Sequence, residues 1–198
     1  MSNITLIIVI VVAVAIVAAL VVAGYQMARR KQTERLRQQY GPEYDRAIGE
    51  ADSQRAAESE LRERAKRHDK LQLRTLDSSE RADFDRRWTE VQGQFVDDPS
   101  TAVRNADRLV VDVMAARGYP AEEDFDQRAD DLSVEHAEVV QRYREARRIA
   151  EANEDGRADT EDLRQAVTSY RALVQALLAG DGDATKADDV GEDHDGTR

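Results

Sequence analysis

The side chains best suited to metal chemistry are oxygen donors concentrated between residues 151 and 162. An EF-hand calcium loop takes ligands from positions 1, 3, 5, 9 and 12 and needs glycine at position 6. Gly156 stands at that glycine position. The candidate ligands are Glu151, Asn153, Asp155, Asp159 and Asp162. The first and last ligands depart from the usual Asp and bidentate Glu. The segment is therefore either a calcium loop or a polar helix end followed by the N-cap of the next helix.

Other reactive side chains are scattered along the chain. The histidines His68, His136 and His194 lie far apart, and none has a second histidine at metal-ligand spacing. The absence of cysteine from the sequence excludes thiolate nucleophiles, disulfides and Cys-ligated metal sites. The sequence also has no glycine-rich phosphate loop and no nucleophile elbow. We predict no catalytic residue and no cofactor, and we keep an enzyme with an unrecognised carboxylate acid/base pair as a third hypothesis.

Residues 4–23 are the most apolar stretch, with 19 apolar residues out of 20. As a helix this stretch is about 30 Å long, which matches the hydrocarbon core of a bilayer. The run is longer than the apolar core of a cleaved signal peptide, and no Lys or Arg precedes it. The sequence therefore predicts a transmembrane helix over 4–23 within an anchor of residues 1–28. Ala15, Ala19 and Ala23 share one face of that helix, which would allow a homo-oligomer.

A basic juxtamembrane segment, residues 29–42, follows the predicted span. Within 29–38, five basic residues stand against the single acid Glu34. The positive-inside rule then places the N-terminus outside the cell membrane and the C-terminal domain in the cytoplasm. The predicted membrane-interface residues are Tyr25, Arg29, Arg30 and Lys31. We interpret the basic cluster first as a topology signal, with binding of anionic lipids as the alternative.

The rest of the chain predicts an all-α protein. Residues 43–76 predict a polar stalk, helical from Glu43 to about Leu71, because apolar positions there are sparse. The stalk is expected to be either solvated or weakly packed against a partner. Residues 77–179 predict one helical bundle of four substantial helices and one short one, with no alternating strand pattern.

Capping signals define the helices of this bundle. The predicted N-caps are Asp77 in a capping box, Asp98 before Pro99, Ser133, and Asp159 or Thr160. Gly118 is the predicted C-terminal cap of the second bundle helix. In the first bundle helix, an apolar stripe that includes Trp88 predicts a core-facing surface.

Charge is unevenly distributed. The 198 residues carry 40 acidic and 29 basic side chains, a net charge of −11, which argues against a nucleic-acid partner. Residues 180–198 have seven acids against two basic residues and little apolar surface to bury. We predict that this acidic tail is disordered.

Short segments distributed over residues 36–178 carry a family resemblance. They are YGPEYDR at 40–46, FVDDP at 95–99, ADRLV at 106–110, RGYP at 117–120, FDQRA at 125–129, DLSV at 131–134, LRQA at 163–166 and YRAL at 170–173. Together they resemble a family of uncharacterised bacterial single-pass membrane-anchored helical proteins. The resemblance implies an anchored helical domain and no particular activity. It does not extend to the acidic loop at 151–162, and this chain has His136-Ala137 where the family pattern leads to His-Pro.

The sequence thus favours a membrane-anchored helical protein-interaction module. The expected partners are the lipid bilayer, another protein and a second copy of the chain. The alternative function is a membrane-tethered calcium sensor built on residues 151–162.

Overall fold

The computed structural model describes residues 3–120, 122 and 124–179, with side chains from residue 16 onward. Over these residues the chain forms eight α-helices and no β-strand, which confirms the all-α fold class. The acidic tail at 180–198, predicted to be disordered, lies outside the described residues. The helices are α1 (Asn3–Tyr40), α2 (Pro42–Glu50), α3 (Gln54–His68), α4 (Ser78–Asp97), α5 (Pro99–Arg117), α6 (Phe125–Glu135), α7 (Ala137–Glu154) and α8 (Thr160–Ala179).

The capping signals at Asp77 and Asp98 are confirmed. The Asp77 carboxylate accepts hydrogen bonds from the backbone N–H groups of Ser79 and Glu80 at 2.8 and 2.9 Å. The Glu80 side chain in turn accepts one from the Asp77 backbone at 3.0 Å, which completes the capping box. Asp98 accepts from the Thr101 backbone at 2.9 Å, and α5 begins with Pro99. These local bonds fix where α4 and α5 begin.

Gly118 ends α5 in the left-handed conformation, with φ of 97°. A Cβ at this position would collide with the Gln72 carbonyl oxygen. The predicted C-cap is therefore confirmed, and the close approach of the backbone at Gln72 gives glycine a second reason to be there.

Ser133 is not the N-cap that the sequence predicts. It lies inside α6, fully buried, and its hydroxyl donates a hydrogen bond to the Asp130 carbonyl at 2.6 Å. The helix continues to Glu135, and His136 separates α6 from α7. The prediction was wrong because a serine can satisfy its hydroxyl on the preceding helical turn as well as at a helix start.

The larger hydrophobic core joins α4, α5, α6, α7 and α8. Trp88 is 6% exposed within this core, as its apolar stripe predicts. Tyr143 and Tyr170 are fully buried, and their ring centroids lie 6.0 Å apart in an edge-to-face arrangement. The bundle predicted for residues 77–179 is therefore present.

The segment predicted as a polar stalk, formed by one helix, folds onto the bundle instead. It contains two helices, α2 and α3, and the side chain of Ser53 caps α3 by accepting from the Ala56 backbone at 3.2 Å. A second apolar cluster forms where α1, α2 and α3 meet, and its buried members are Leu36, Tyr40, Tyr44, Ala47, Ala57 and Leu61. Sparse apolar residues suffice here because three helices each contribute a few of them to one small core.

Among the residues that the structure describes, no helix is long and apolar enough to cross a membrane. Residues 4–15 of the predicted span belong to the part of α1 whose side chains are not described. The transmembrane helix over 4–23 stays a prediction.

Candidate functional site

A fully buried carboxylate, Glu43, connects the N-terminal helices to the bundle. It lies in the first turn of α2 and is 0% exposed. Its carboxylate accepts hydrogen bonds from Arg46 Nε at 2.8 Å and from Gln141 Nε2 at 2.6 Å. The Arg144 guanidinium donates a third at 3.1 Å. Because Gln141 and Arg144 belong to α7, one side chain joins elements about a hundred residues apart in sequence.

Arg64 and Asp130 extend this network to α3 and α6. The Arg64 guanidinium lies 3.4 Å from the Glu43 carboxylate and 2.8 Å from the Asp130 carboxylate. Arg144 also donates to Asp130 at 2.8 Å. Charge-assisted bonds of this kind are the stronger class of hydrogen bond. We name the network the Glu43 cluster, and it consists of Glu43, Arg46, Arg64, Asp130, Gln141 and Arg144.

The pKa values of the two carboxylates in the cluster, Glu43 and Asp130, are shifted in opposite directions. Burial acts to raise the pKa of Glu43, but the hydrogen bonds and charges of Arg46 and Arg144 outweigh it and lower that pKa. For Asp130 burial prevails over the nearby arginines, and its pKa is raised. Separated carboxylate pKa values can serve acid/base catalysis. Glu43 has no exposed surface through which a substrate could reach it, so we assign it a structural role.

An open cleft of about 460 Å³ adjoins the Glu43 cluster. Its lining residues are Arg46, Glu50, Glu60, Arg64, Phe125, Asp126, Asp130 and Arg144. Each carboxylate at its rim is paired with an arginine: Glu50 with Arg46, Glu60 with Arg64, and Asp126 with Arg144. Such pairing is typical of ion-pair networks and does not single out an acid/base pair.

A second cleft, of about 730 Å³, lies between α1 and the start of α3. We name it the basic cleft, and its lining residues are Gln26, Arg29, Arg30, Thr33, Glu34, Ser53, Gln54, Arg55 and Glu58. Residues from α1 and α3, at least 20 positions apart in sequence, therefore line one surface.

Glu58 organises the inner wall of the basic cleft. Its carboxylate accepts hydrogen bonds from Thr33 Oγ1 at 2.7 Å, Gln54 Nε2 at 2.8 Å and the Tyr44 hydroxyl at 3.1 Å. Burial acts to raise the pKa of Glu58, but these hydrogen bonds outweigh it and lower that pKa. The carboxylate thus holds α1, α2 and α3 together.

Two histidines that are distant in sequence face one carboxylate. His68 Nε2 lies 3.4 Å from Glu135, and His136 Nε2 lies 3.9 Å from the same carboxylate. The Tyr119 hydroxyl donates a hydrogen bond to Glu135 at 3.0 Å. Within the described part of the chain, no group of three or more His, Cys, Asp or Glu side chains is arranged to hold a metal ion. His194 lies outside the described residues.

The candidate calcium ligands have other partners. Glu151 pairs with Arg147 at 3.1 Å, and Asp155 pairs with Arg157. The Asn153 amide oxygen accepts a hydrogen bond from the Ser100 hydroxyl at 2.8 Å. Asp159 and Asp162 each accept from the other's backbone N–H, at 2.9 and 3.1 Å. The structure therefore confirms the helix-start interpretation of Asp159 and does not bring the five oxygen donors together as one ligand set.

The predicted membrane-interface residues lie on the surface of α1. Tyr25 is 59% exposed, and the Arg29 guanidinium lies 5.7 Å from the centroid of its ring. Arg30 and Lys31 are exposed as well. Their contact with a membrane remains a prediction.

The Glu43 cluster was not predicted from the sequence. In the sequence Glu43 is an acid in the first turn of a helix, a common place for one because of the helix dipole. The available signal was the segment at 40–46, which carries part of the family resemblance and contains the buried residues Tyr40 and Tyr44 as well as Glu43. Nothing in the sequence connects that segment to Arg144.

In comparisons with known proteins, no family model, no curated protein and no solved structure matches this chain. The family resemblance therefore stays a resemblance.

Proposed function

We propose that this protein is a membrane-anchored helical module that presents a protein-binding surface at a fixed position relative to the bilayer. The anchor is the apolar segment at 4–23, with the body on the cytoplasmic side. The observation that carries the proposal is the continuity of α1, which runs from Asn3 to Tyr40 without a break.

The last turns of α1 belong to the folded body. Leu36 is 7% exposed and Tyr40 is fully buried in the second apolar cluster. The Tyr40 hydroxyl donates a hydrogen bond to the Leu61 carbonyl at 2.8 Å, and burial raises its pKa to about 12, so the phenol stays protonated. A flexible linker would let the body reorient, whereas a helix docked in this way transmits the orientation of the anchor.

A second surface of the body carries exposed acids where the α4–α5 corner meets the end of α7. The hydrogen bond between Ser100 and Asn153 joins the α4–α5 corner to the end of α7. Asn153 lies nine residues beyond Arg144 on α7, which is about 14 Å of helix away from the Glu43 cluster. We name this region the acidic end, and among the described residues its exposed acids that form no ion pair are Asp97, Asp98 and Glu154.

Apolar surface adjoins these acids. Val96 exposes 83% of its surface at the end of α4, beside Asp97. Interfaces combine apolar contact with charges that orient the partner. The acidic end therefore suits a basic segment of a partner protein that also offers an apolar side chain.

Membrane attachment and orientation can be tested by carbonate extraction and protease protection. Full-length protein should stay in the carbonate-washed membrane fraction, and its C-terminal tail should resist protease in spheroplasts. Release by carbonate would contradict the anchor, and cleavage of the tail in intact spheroplasts would reverse the orientation.

The binding surface can be tested with a photo-crosslinking amino acid at position 96. We expect a discrete adduct in intact membranes that is lost in the Asp97→Lys variant. Asp85→Lys, an exposed acid on the same helix, is the matched control and should keep the adduct. An adduct of twice the protein's mass would identify the partner as a second copy. Equal adduct yields from the Asp97→Lys and Asp85→Lys variants would show that the acidic end does not bind the partner.

A further inference from the structure

Three arginines line the basic cleft without a carboxylate partner. Within the described residues, no Asp or Glu oxygen lies within 4.0 Å of the guanidinium groups of Arg29, Arg30 or Arg55. In the Glu43 cluster, by contrast, Arg64 and Arg144 each pair with two or more carboxylates. The charges of the basic cleft are therefore available to an anion from outside the protein.

The two acids in the cleft do not neutralise these arginines. Glu58 is 7% exposed, and its carboxylate already accepts hydrogen bonds from three neutral side chains. Glu34 is exposed and accepts a hydrogen bond from Gln38 at 3.4 Å. The lining keeps an excess of positive charge, and the first residues of α3, whose N-terminus carries a partial positive charge, add to it.

The position of the cleft selects the anion. Arg29 and Arg30 follow the end of the apolar segment by six and seven residues, which is about 9–11 Å along α1. Helical side chains tilt toward the N-terminus of their helix, so these guanidinium groups reach back toward the anchor. The headgroup layer extends about 5–8 Å beyond the hydrocarbon core on each side. An anion at this level of an anchored protein is a lipid headgroup.

We infer that the basic cleft binds the phosphate of an anionic phospholipid, with Arg55 of α3 completing a site that Arg29 and Arg30 of α1 begin. This inference rests on the membrane anchor of the proposed function. A lipid held between α1 and α3 would also strengthen the contact between anchor and body, because both helices would bind the same phosphate.

Native mass spectrometry of the full-length chain released from neutral detergent micelles tests this site. Phosphatidylglycerol should bind as one saturable molecule, at least about tenfold more tightly than zwitterionic phosphatidylcholine. One cation near an anionic lipid corresponds to a factor of about five in affinity. Arg55→Gln should therefore weaken phosphatidylglycerol binding about fivefold, and Arg29→Gln should do the same.

Arg62→Gln is the matched control, since Arg62 lies on α3 with the same charge but outside the lining of the cleft. It should leave the affinity within about twofold of the wild type. Equal effects of Arg55→Gln and Arg62→Gln would show that only general charge matters, which would overturn a defined site. Equal binding of phosphatidylcholine would overturn the selectivity.

Inorganic phosphate and glycerol phosphate distinguish the source of the anion. Neither should displace phosphatidylglycerol, because neither has acyl chains that would hold it in the detergent micelle beside the cleft. If both compete equally well and Arg55→Gln weakens all three, the site binds a soluble phosphate compound and the lipid assignment fails. Carbonate extraction of the same protein distinguishes failure of the membrane anchor from failure of the lipid site. A chain that carbonate extracts refutes the anchor, whereas an anchored chain without lipid selectivity refutes only this inference.

Discussion

Replacing Glu43 with glutamine tests whether the buried ion network holds the N-terminal helices on the bundle. The substitution keeps the size and shape of the side chain but removes its negative charge. Arg46, Arg64 and Arg144 would then share one fewer carboxylate. Because Glu43 is 0% exposed, water cannot replace the lost charge.

The expected loss follows from the geometry. Removing one partner of a buried ion pair destabilises a protein by about 3–5 kcal/mol. The glutamine oxygen can still accept from Arg46, and the Arg46 and Arg144 side chains are 20% and 16% exposed, so water partly compensates them. We therefore expect the lower end of that range, about 3 kcal/mol at pH 7.

Urea unfolding of the full-length chain in detergent micelles, followed by far-ultraviolet circular dichroism, measures this loss. The pKa of Glu43 is lowered in the folded state, so the stability that its charge contributes is present above its ordinary pKa and is lost as the pH falls through the folded pKa. Glutamine does not titrate, and the difference between wild type and variant should shrink below about pH 4. The raised pKa of Asp130 makes the protein less stable as the pH rises, but Asp130 is present in both the wild type and the variant.

The control is Glu50→Gln. Glu50 also pairs with Arg46 from the same helix, but its side chain is 63% exposed. An exposed pair of this kind contributes at most about 0.5–1 kcal/mol. If the two variants lose similar stability at pH 7, or if Glu43→Gln stays within about 0.5 kcal/mol of the wild type, the Glu43 cluster does not stabilise the fold as we argue.

Three further outcomes are expected. Gly118→Ala should destabilise the protein by about 3 kcal/mol in urea unfolding, because the alanine would be strained at a positive φ and its Cβ would collide with the Gln72 carbonyl oxygen. Gly93→Ala, the control in open space, should be neutral or stabilising by up to about 1 kcal/mol. Similar effects of the two substitutions would contradict the close approach of the backbone at Gln72. Trp88 fluorescence and circular dichroism should show the same urea transition, because α2 and α3 are packed onto the bundle and should unfold with it. A circular dichroism transition at lower urea than the fluorescence transition would indicate that α2 and α3 form an independent stalk. Millimolar calcium should release no binding heat and should not raise the melting temperature; a saturable calorimetric isotherm would reinstate the loop at 151–162.

The capping residues show where sequence reasoning succeeds. Asp77 and Asp98 act through hydrogen bonds to backbone groups two or three residues away. Gly118 acts through its own backbone conformation. Such interactions are complete within one turn of chain, so the sequence contains everything that determines them. Ser133 is the exception, because two local bonding patterns compete and the buried environment of α6 selects the inner one.

The candidate sites divide in the same way. Arg29 and Arg30 could be recognised from their position after the apolar segment, but Arg55 gives no comparable signal. Its place beside them depends on α3 turning back along α1, and that turn is stabilised by the Glu58 hydrogen bonds and the second apolar cluster. The sequence therefore predicts the α1 side of the basic cleft but not the α3 side.

The sequence by itself determined the helical class, most helix boundaries and the apolar segment, because these depend on composition, periodicity and bonds between near neighbours. Only the tertiary structure decided that residues 43–71 pack on the bundle and that Glu43 meets Arg144 at a separation of 101 residues. The physical reason is that burial and ion pairing depend on which helix faces meet. The sequence of a polar helix does not show whether its few apolar residues face water or pack against another surface.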